Sequence, residues 1–182
     1  MNFEEKQLKK EYIYKGKIIN MRRDDALLPD GNTAIREVVE HPGGVCVAAL
    51  TDNDEILFVR QFRYPYGEVT LEIPAGKRDR QNEDPLECGK RELREETGAI
   101  AEKYISLGQL YPTPGYCGEV IWMFAATKLT FGNTDPDDDE FISAERIPIE
   151  RAVEMVLSGE IRDAKTQAAV LKVKLLRERG EI

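Results

Sequence analysis

The chain is poor in the side chains that usually hold transition metals. It has one histidine, His41, and three cysteines, Cys46, Cys88 and Cys117, none of them in a CxxC pair. A zinc site rich in His or Cys is thereby nearly excluded. An odd number of scattered thiols fits a reducing, cytoplasmic setting better than a disulfide framework. No apolar run has the length of a membrane span, and the opening MNFEEKQLKK lacks the apolar core of a signal peptide. Basic charge is also short: Asp and Glu number 34 against 26 Lys and Arg, a net charge of −8. That balance argues against non-specific nucleic-acid binding, which needs clustered cations to neutralise phosphates. It leaves room for a small anionic substrate at a locally cationic site.

What is present fits one soluble globular core with a small appendage, over 182 residues of which 41% are hydrophobic. Residues 11–40 read as short strands. Within ALLPDGNTAIREVVE a Pro-Asp-Gly turn separates two strand-like runs, which is a hairpin signal. HPGG at 41–44 breaks the pattern, and the boundary between an N-terminal β subdomain (1–40) and the main domain (41–182) is placed there. VCVAAL and EILFVRQFRY follow as strands joined by a TDND turn, and VIWMFAATKL is a further strand. ERAVEMVLSG and AKTQAAVLKVKLLRER read as amphipathic helices. Strands and helices without regular βαβ alternation predict an α+β fold on a mixed sheet.

The strongest helix signals lie at 84–97. Asp84 suits the N-cap, Pro85 the first helical position, Glu87 the third position of a capping box and Gly98 the left-handed C-terminal position. Glu92, Glu95 and Glu96 are spaced i, i+3 and i+4, so they share one face, while Leu86 and Leu93 share another. Two of these glutamates sit at the helix C-terminus, where the dipole disfavours anions. Clustered carboxylates are hard oxygen ligands, and a Mg²⁺-type dication reverses the repulsion. Without one, the cluster is simply a solvated acidic face.

Arg91, Glu92, Glu95, Glu96 and Gly98 spell R-E-x-x-E-E-x-G, with Glu83 eight residues before Arg91 and Gly76 further upstream. At ordinary residue frequencies R-E-x-x-E-E-x-G arises by chance on the order of once per million start positions. The pattern resembles the Nudix box, Gly-x5-Glu-x7-Arg-Glu-U-x-Glu-Glu-x-Gly-U with U a bulky aliphatic residue. It differs in two places: the loop KRDRQN between Gly76 and Glu83 is one residue longer, and the last position is Ala99. LEIPAGK, RQFRY, REVVEHPG and YPTPGYCGE, with Pro114 fifteen residues after Ala99, together resemble the ADP-ribose pyrophosphatase branch over roughly residues 12–175.

The resemblance implies an α/β/α sandwich on a mixed sheet with a small N-terminal antiparallel subdomain, and hydrolysis of a nucleoside diphosphate linked to a second group. It implies Mg²⁺ or Mn²⁺ on Glu92, Glu96, Glu95 and the carbonyl of Ala75, with Arg91 orienting a glutamate. It places Arg63 on the substrate phosphates, and Arg36, Glu37 and Glu119 on the substrate side, with Glu72 helping to hold the site. Arg60 is a strand charge facing either water or substrate. The acidic loop DPDDDEF offers the base, Glu140 first and Asp138 second, with Glu95 a further catalytic candidate. Tyr14 is expected to stack on adenine across a homodimer formed by exchange of the N-terminal segment. His41 and Cys88 are expected to be structural. The substrate expected first is ADP-ribose. Another nucleoside diphosphate sugar such as GDP-mannose is the alternative within the same chemistry, and a non-catalytic ADP-ribose-binding module is the alternative outside it.

Overall fold

A computed structural model describes residues 2–78, 83–135 and 141–182. The elements run β1 (Lys6–Lys15), β2 (Asn20–Leu27), β3 (Thr33–Glu40), β4 (Gly44–Ala49), β5 (Glu55–Arg63), β6 (Glu68–Glu72), β7 (Ala75–Lys77), α1 (Pro85–Thr97), β8 (Ala99–Leu110), β9 (Ile121–Phe131), β10 (Ser143–Pro148), α2 (Ile149–Leu157) and α3 (Ala164–Glu178). They group into two compact units. One is Met1–Gly43 with Tyr111–Val120, and the other is Gly44–Leu110 with Ile121–Ile182.

The first unit is an antiparallel sheet in the order β1-β2-β3. The Pro-Asp-Gly signal forms the β2–β3 turn, closed by Leu28 N–H to Asn32 O at 2.8 Å and Gly31 N–H to Leu28 O at 3.0 Å. Every residue of β1 is exposed. The segment 111–120 joins this unit by zipping onto the end of β3: Val39 N–H donates to Tyr116 O, and Gly118 N–H donates to Val39 O.

The second unit holds two sheets. One runs β7-β4-β9-β8, with β4 parallel to β9 and the other neighbours antiparallel; the second is the antiparallel β10-β5-β6. Strand β4 is buried throughout, so its two faces serve different layers. Val47 and Ala49 pack with Leu93 of α1. Cys46 and Ala48 pack with Ala169, Val170 and Val173 of α3, along with Phe58 and Ile73. A strand covered on both sides reads as a continuous apolar run, which is why VCVAAL carries no alternation. The result is the α/β/α sandwich on a mixed sheet.

Helix α1 has the caps its sequence announces. The Asp84 carboxylate accepts from Leu86 N–H at 2.9 Å and Glu87 N–H at 3.1 Å. Glu87 turns instead to Lys90 at 2.6 Å, so the reciprocal half of the capping box is not made. Gly98 ends the helix at φ 69°, its N–H donating to Arg94 O. Cys46 and Cys88 are buried free thiols, and burial pushes each pKa up to about 12.

Candidate active site

Glu92 and Glu96 lie one turn apart on α1 and are almost fully buried, at 7% and 4% exposure. They face the short strand β7. Ala75 N–H donates to the Glu96 carboxylate at 3.0 Å. The Glu92 carboxylate lies over Gly76, in the space a Cβ there would occupy. The glycine of the motif is therefore a steric requirement: it lets the carboxylate approach the strand backbone. Glu95 is half-buried on the same helix face.

Arg91 ties the acidic groups together. Its Nη1 lies 2.8 Å from Glu92 and 3.0 Å from Glu95, and its Nε lies 3.5 Å from Glu83. Arg78 donates to the Glu83 carbonyl at 3.0 and 2.7 Å and stacks on Trp122. Both ends of the loop with the additional residue are thus tied down.

Next to this face is a second charged cluster. Arg63 grips Glu72 in a two-point fork, Nε to Oε1 at 2.7 Å and Nη2 to Oε2 at 2.6 Å. The Thr70 hydroxyl donates to Glu72 Oε1 at 2.6 Å, and Lys165 of α3 donates to Oε2. Burial works against ionisation of Glu72, but the Arg63 hydrogen bonds and the Lys165 charge outweigh it and hold the carboxyl down at about 2. Lys165 also pairs with Asp163 at 3.0 Å. Thr166 accepts from Ile73 N–H at 3.0 Å, which fixes the first turn of α3 on the strand leading to Ala75. The AKTQ run shows only a helix start in sequence, so nothing local marks Lys165 and Thr166 as part of the site.

Among the described residues no three His, Cys, Asp or Glu side chains are grouped closely enough to hold a metal as they stand. The donors nevertheless fit a hard dication in type and placement: two buried carboxylates, a third beside them, and a backbone strand they both touch.

The first unit carries four of the expected residues. Tyr14 is exposed on β1. Arg36 pairs with Glu5 at 2.8 and 2.6 Å, and Glu37 stands exposed opposite Arg23. Glu119 lies 3.3 Å from His41 Nδ1, which also accepts from Gly43 N–H at 3.1 Å. In the second unit Arg60 pairs with Glu145 at 2.6 Å on the surface of the smaller sheet. Glu140 and Asp138 lie outside the described residues. The described start of their loop adjoins α1, with Asp135 N–H donating to Glu95 O at 3.0 Å.

The NUDIX domain model matches residues 32–170, and the model for the nucleoside diphosphate sugar hydrolase N-terminal domain matches residues 5–39. The chain is 39% identical to an ADP-ribose pyrophosphatase of Bacillus subtilis (strain 168), covering 96% of this chain and 95% of that protein. It is 37% identical to a methanol dehydrogenase activator of Bacillus methanolicus, covering 95% and 94%. A solved structure, the crystal structure of an ADP compounds hydrolase, shares the fold over the whole of both chains with a TM-score of 0.85 at 20% identity. With Glu92 and Glu96 of its box set against β7 and nearly all of its length matched, this chain belongs to the Nudix hydrolase family.

Proposed function

We propose that the protein hydrolyses the diphosphate of ADP-ribose to AMP and ribose 5-phosphate. The observation that carries this reading is the convergence of buried Glu92 and Glu96 on Ala75 and Gly76, within a chain that keeps every glutamate of the motif. Glu92, Glu96, Glu95 and the Ala75 carbonyl would hold Mg²⁺ or Mn²⁺, which supplies neutralisation of the diphosphate and acidification of the attacking water. Arg91 keeps Glu92 and Glu95 in place, and Arg63 meets the phosphates. A water oxygen bonds to one phosphorus, the bridging P–O bond breaks, and the water proton passes to a carboxylate. Glu140, then Asp138, is the base on sequence grounds, with Glu95 next. Arg36, Glu37 and Glu119 serve the substrate side, and Tyr14 serves the adenine. The working form is a homodimer in the cytoplasm.

The deciding experiment is turnover of ADP-ribose, GDP-mannose, NADH and a diadenosine polyphosphate, each with and without a divalent ion. AMP and ribose 5-phosphate should appear from ADP-ribose, faster than products from the others, and only with the ion. Preference for GDP-mannose would move the substrate within the same chemistry. Tight ADP-ribose binding without turnover would make the protein a binding module. Glu96→Gln should lower kcat at least ~100-fold while the circular dichroism spectrum stays the same.

A further inference from the structure

Lys165 occupies an electrostatically unfavourable place. It is the second residue of α3, where the helix dipole opposes a cation. Its side chain is only 11% exposed, so its ammonium has lost most of its water. It is nonetheless held charged between Glu72 and Asp163: burial works against the charge, and the two carboxylates outweigh that effect. Glu72 therefore has two cationic partners, although one two-point Arg–carboxylate pair already satisfies a buried carboxylate well. The two cations differ in access. The Arg63 side chain is 35% exposed, and that of Glu72 is 3% exposed. Nη1 of Arg63 makes no hydrogen bond among the described residues. Arg63 is also close enough to Glu96 to feel its charge, which places it beside the carboxylate face.

We propose that Lys165 is the resident counter-ion of Glu72, and that it frees Arg63 to exchange Glu72 for a phosphate of the substrate. This rests on the diphosphate-hydrolase reading above. Without Lys165, withdrawal of Arg63 would leave a buried carboxylate with only the Thr70 hydroxyl, so Arg63 would stay pinned. With Lys165 in place, Glu72 keeps a charged partner whichever way Arg63 turns. Lys165 touches no substrate in this account; it is a positioning residue acting through Arg63.

The test is a set of variants, Lys165→Met, Lys165→Arg and Lys165→Met with Glu72→Gln, assayed on ADP-ribose with Mg²⁺, together with ADP-ribose affinity by calorimetry without metal. Lys165→Met should raise KM and weaken binding at least ~10-fold, with kcat changed less than ~3-fold. Lys165→Arg should recover most of that loss. The double variant should bind better than Lys165→Met alone, because no buried carboxylate remains to pin Arg63. A purely structural Lys165 would instead lower thermal stability and active fraction without this split in KM and kcat, and the double variant would be worse than the single one. That result, or an unchanged KM in Lys165→Met, overturns the proposal. If the unaltered protein neither binds nor turns over a nucleoside diphosphate sugar, the underlying reading fails first, and the counter-ion role fails with it.

Discussion

Glu72 has the clearest acid-base consequence of any single residue here. Its carboxyl is held at about 2 against an ordinary value of 4.5. A depressed carboxyl stabilises the folded state at pH above its unfolded value, and that contribution fades as pH falls from about 4.5 towards 2. Its upper size is on the order of 3 kcal/mol, because each tenfold change in proton affinity corresponds to about 1.4 kcal/mol. Urea unfolding at pH 7, 4.5 and 3 should show Glu72→Gln less stable at neutral pH, because Arg63 and Lys165 lose their shared anion. The variant should also lose less stability than the unaltered protein across the acid range. Parallel acid limbs for the two proteins would contradict the ion-pair account. Gly76 shows the other residue-scale constraint, since any side chain there displaces the Glu92 carboxylate.

At the scale of elements, α1 is fixed by its ends as much as by its packing face. Gly98 has φ 69°, and a Cβ on it would overlap the carbonyl of Gly132, whose own N–H donates to Gly98 O at 2.8 Å. Gly98→Ala therefore combines a left-handed strain of about 1 kcal/mol with a clash that must push β9 or the helix end aside. A loss of roughly 2 kcal/mol is expected, which in a chain of this size lowers Tm by roughly 4–8 °C. A calorimetric scan with Tm unchanged would show that the C-terminal turn is not anchored there. The helix, both its caps and the shared face of its glutamates are all readable in the stretch from Asp84 to Gly98, because each depends on residues within four positions of one another. Strand β8 is different. AIAEKYISLGQL has no clean alternation, and its pairing with β9 shifts register between Ser106 and Gly108. A bulge moves the inward set from one parity to the other, which hides the strand from pattern reading.

For the whole molecule, β1 is the most exposed strand among the described residues. All ten of its residues are exposed in the single chain, and Leu8, Ile13 and Tyr14 are among the large apolar side chains left in water, with Phe3 just before it. Among the described residues no strand pairs with the outer edge of β1, and an unpaired edge offers its N–H and C=O groups to another chain. Together with the homodimer proposed above, this predicts a mass of two chains by light scattering at micromolar concentration. A monomer there would remove the cross-subunit role of Tyr14. If that role holds, Tyr14→Ala should raise KM for ADP-ribose much more than it lowers kcat.

Local chemistry is written along the chain: the acidic helix, its caps, the glycine before it, the β2–β3 hairpin and the family. All of these are short-range patterns or motif spacings. Contacts between residues far apart in the chain emerge only when the layers stack. Segment 111–120 closes onto β3, and Lys165 reaches Glu72 across 93 residues. An ion pair between distant residues depends on how strands and helices pack, and no periodicity along the chain encodes which buried charge will find which partner.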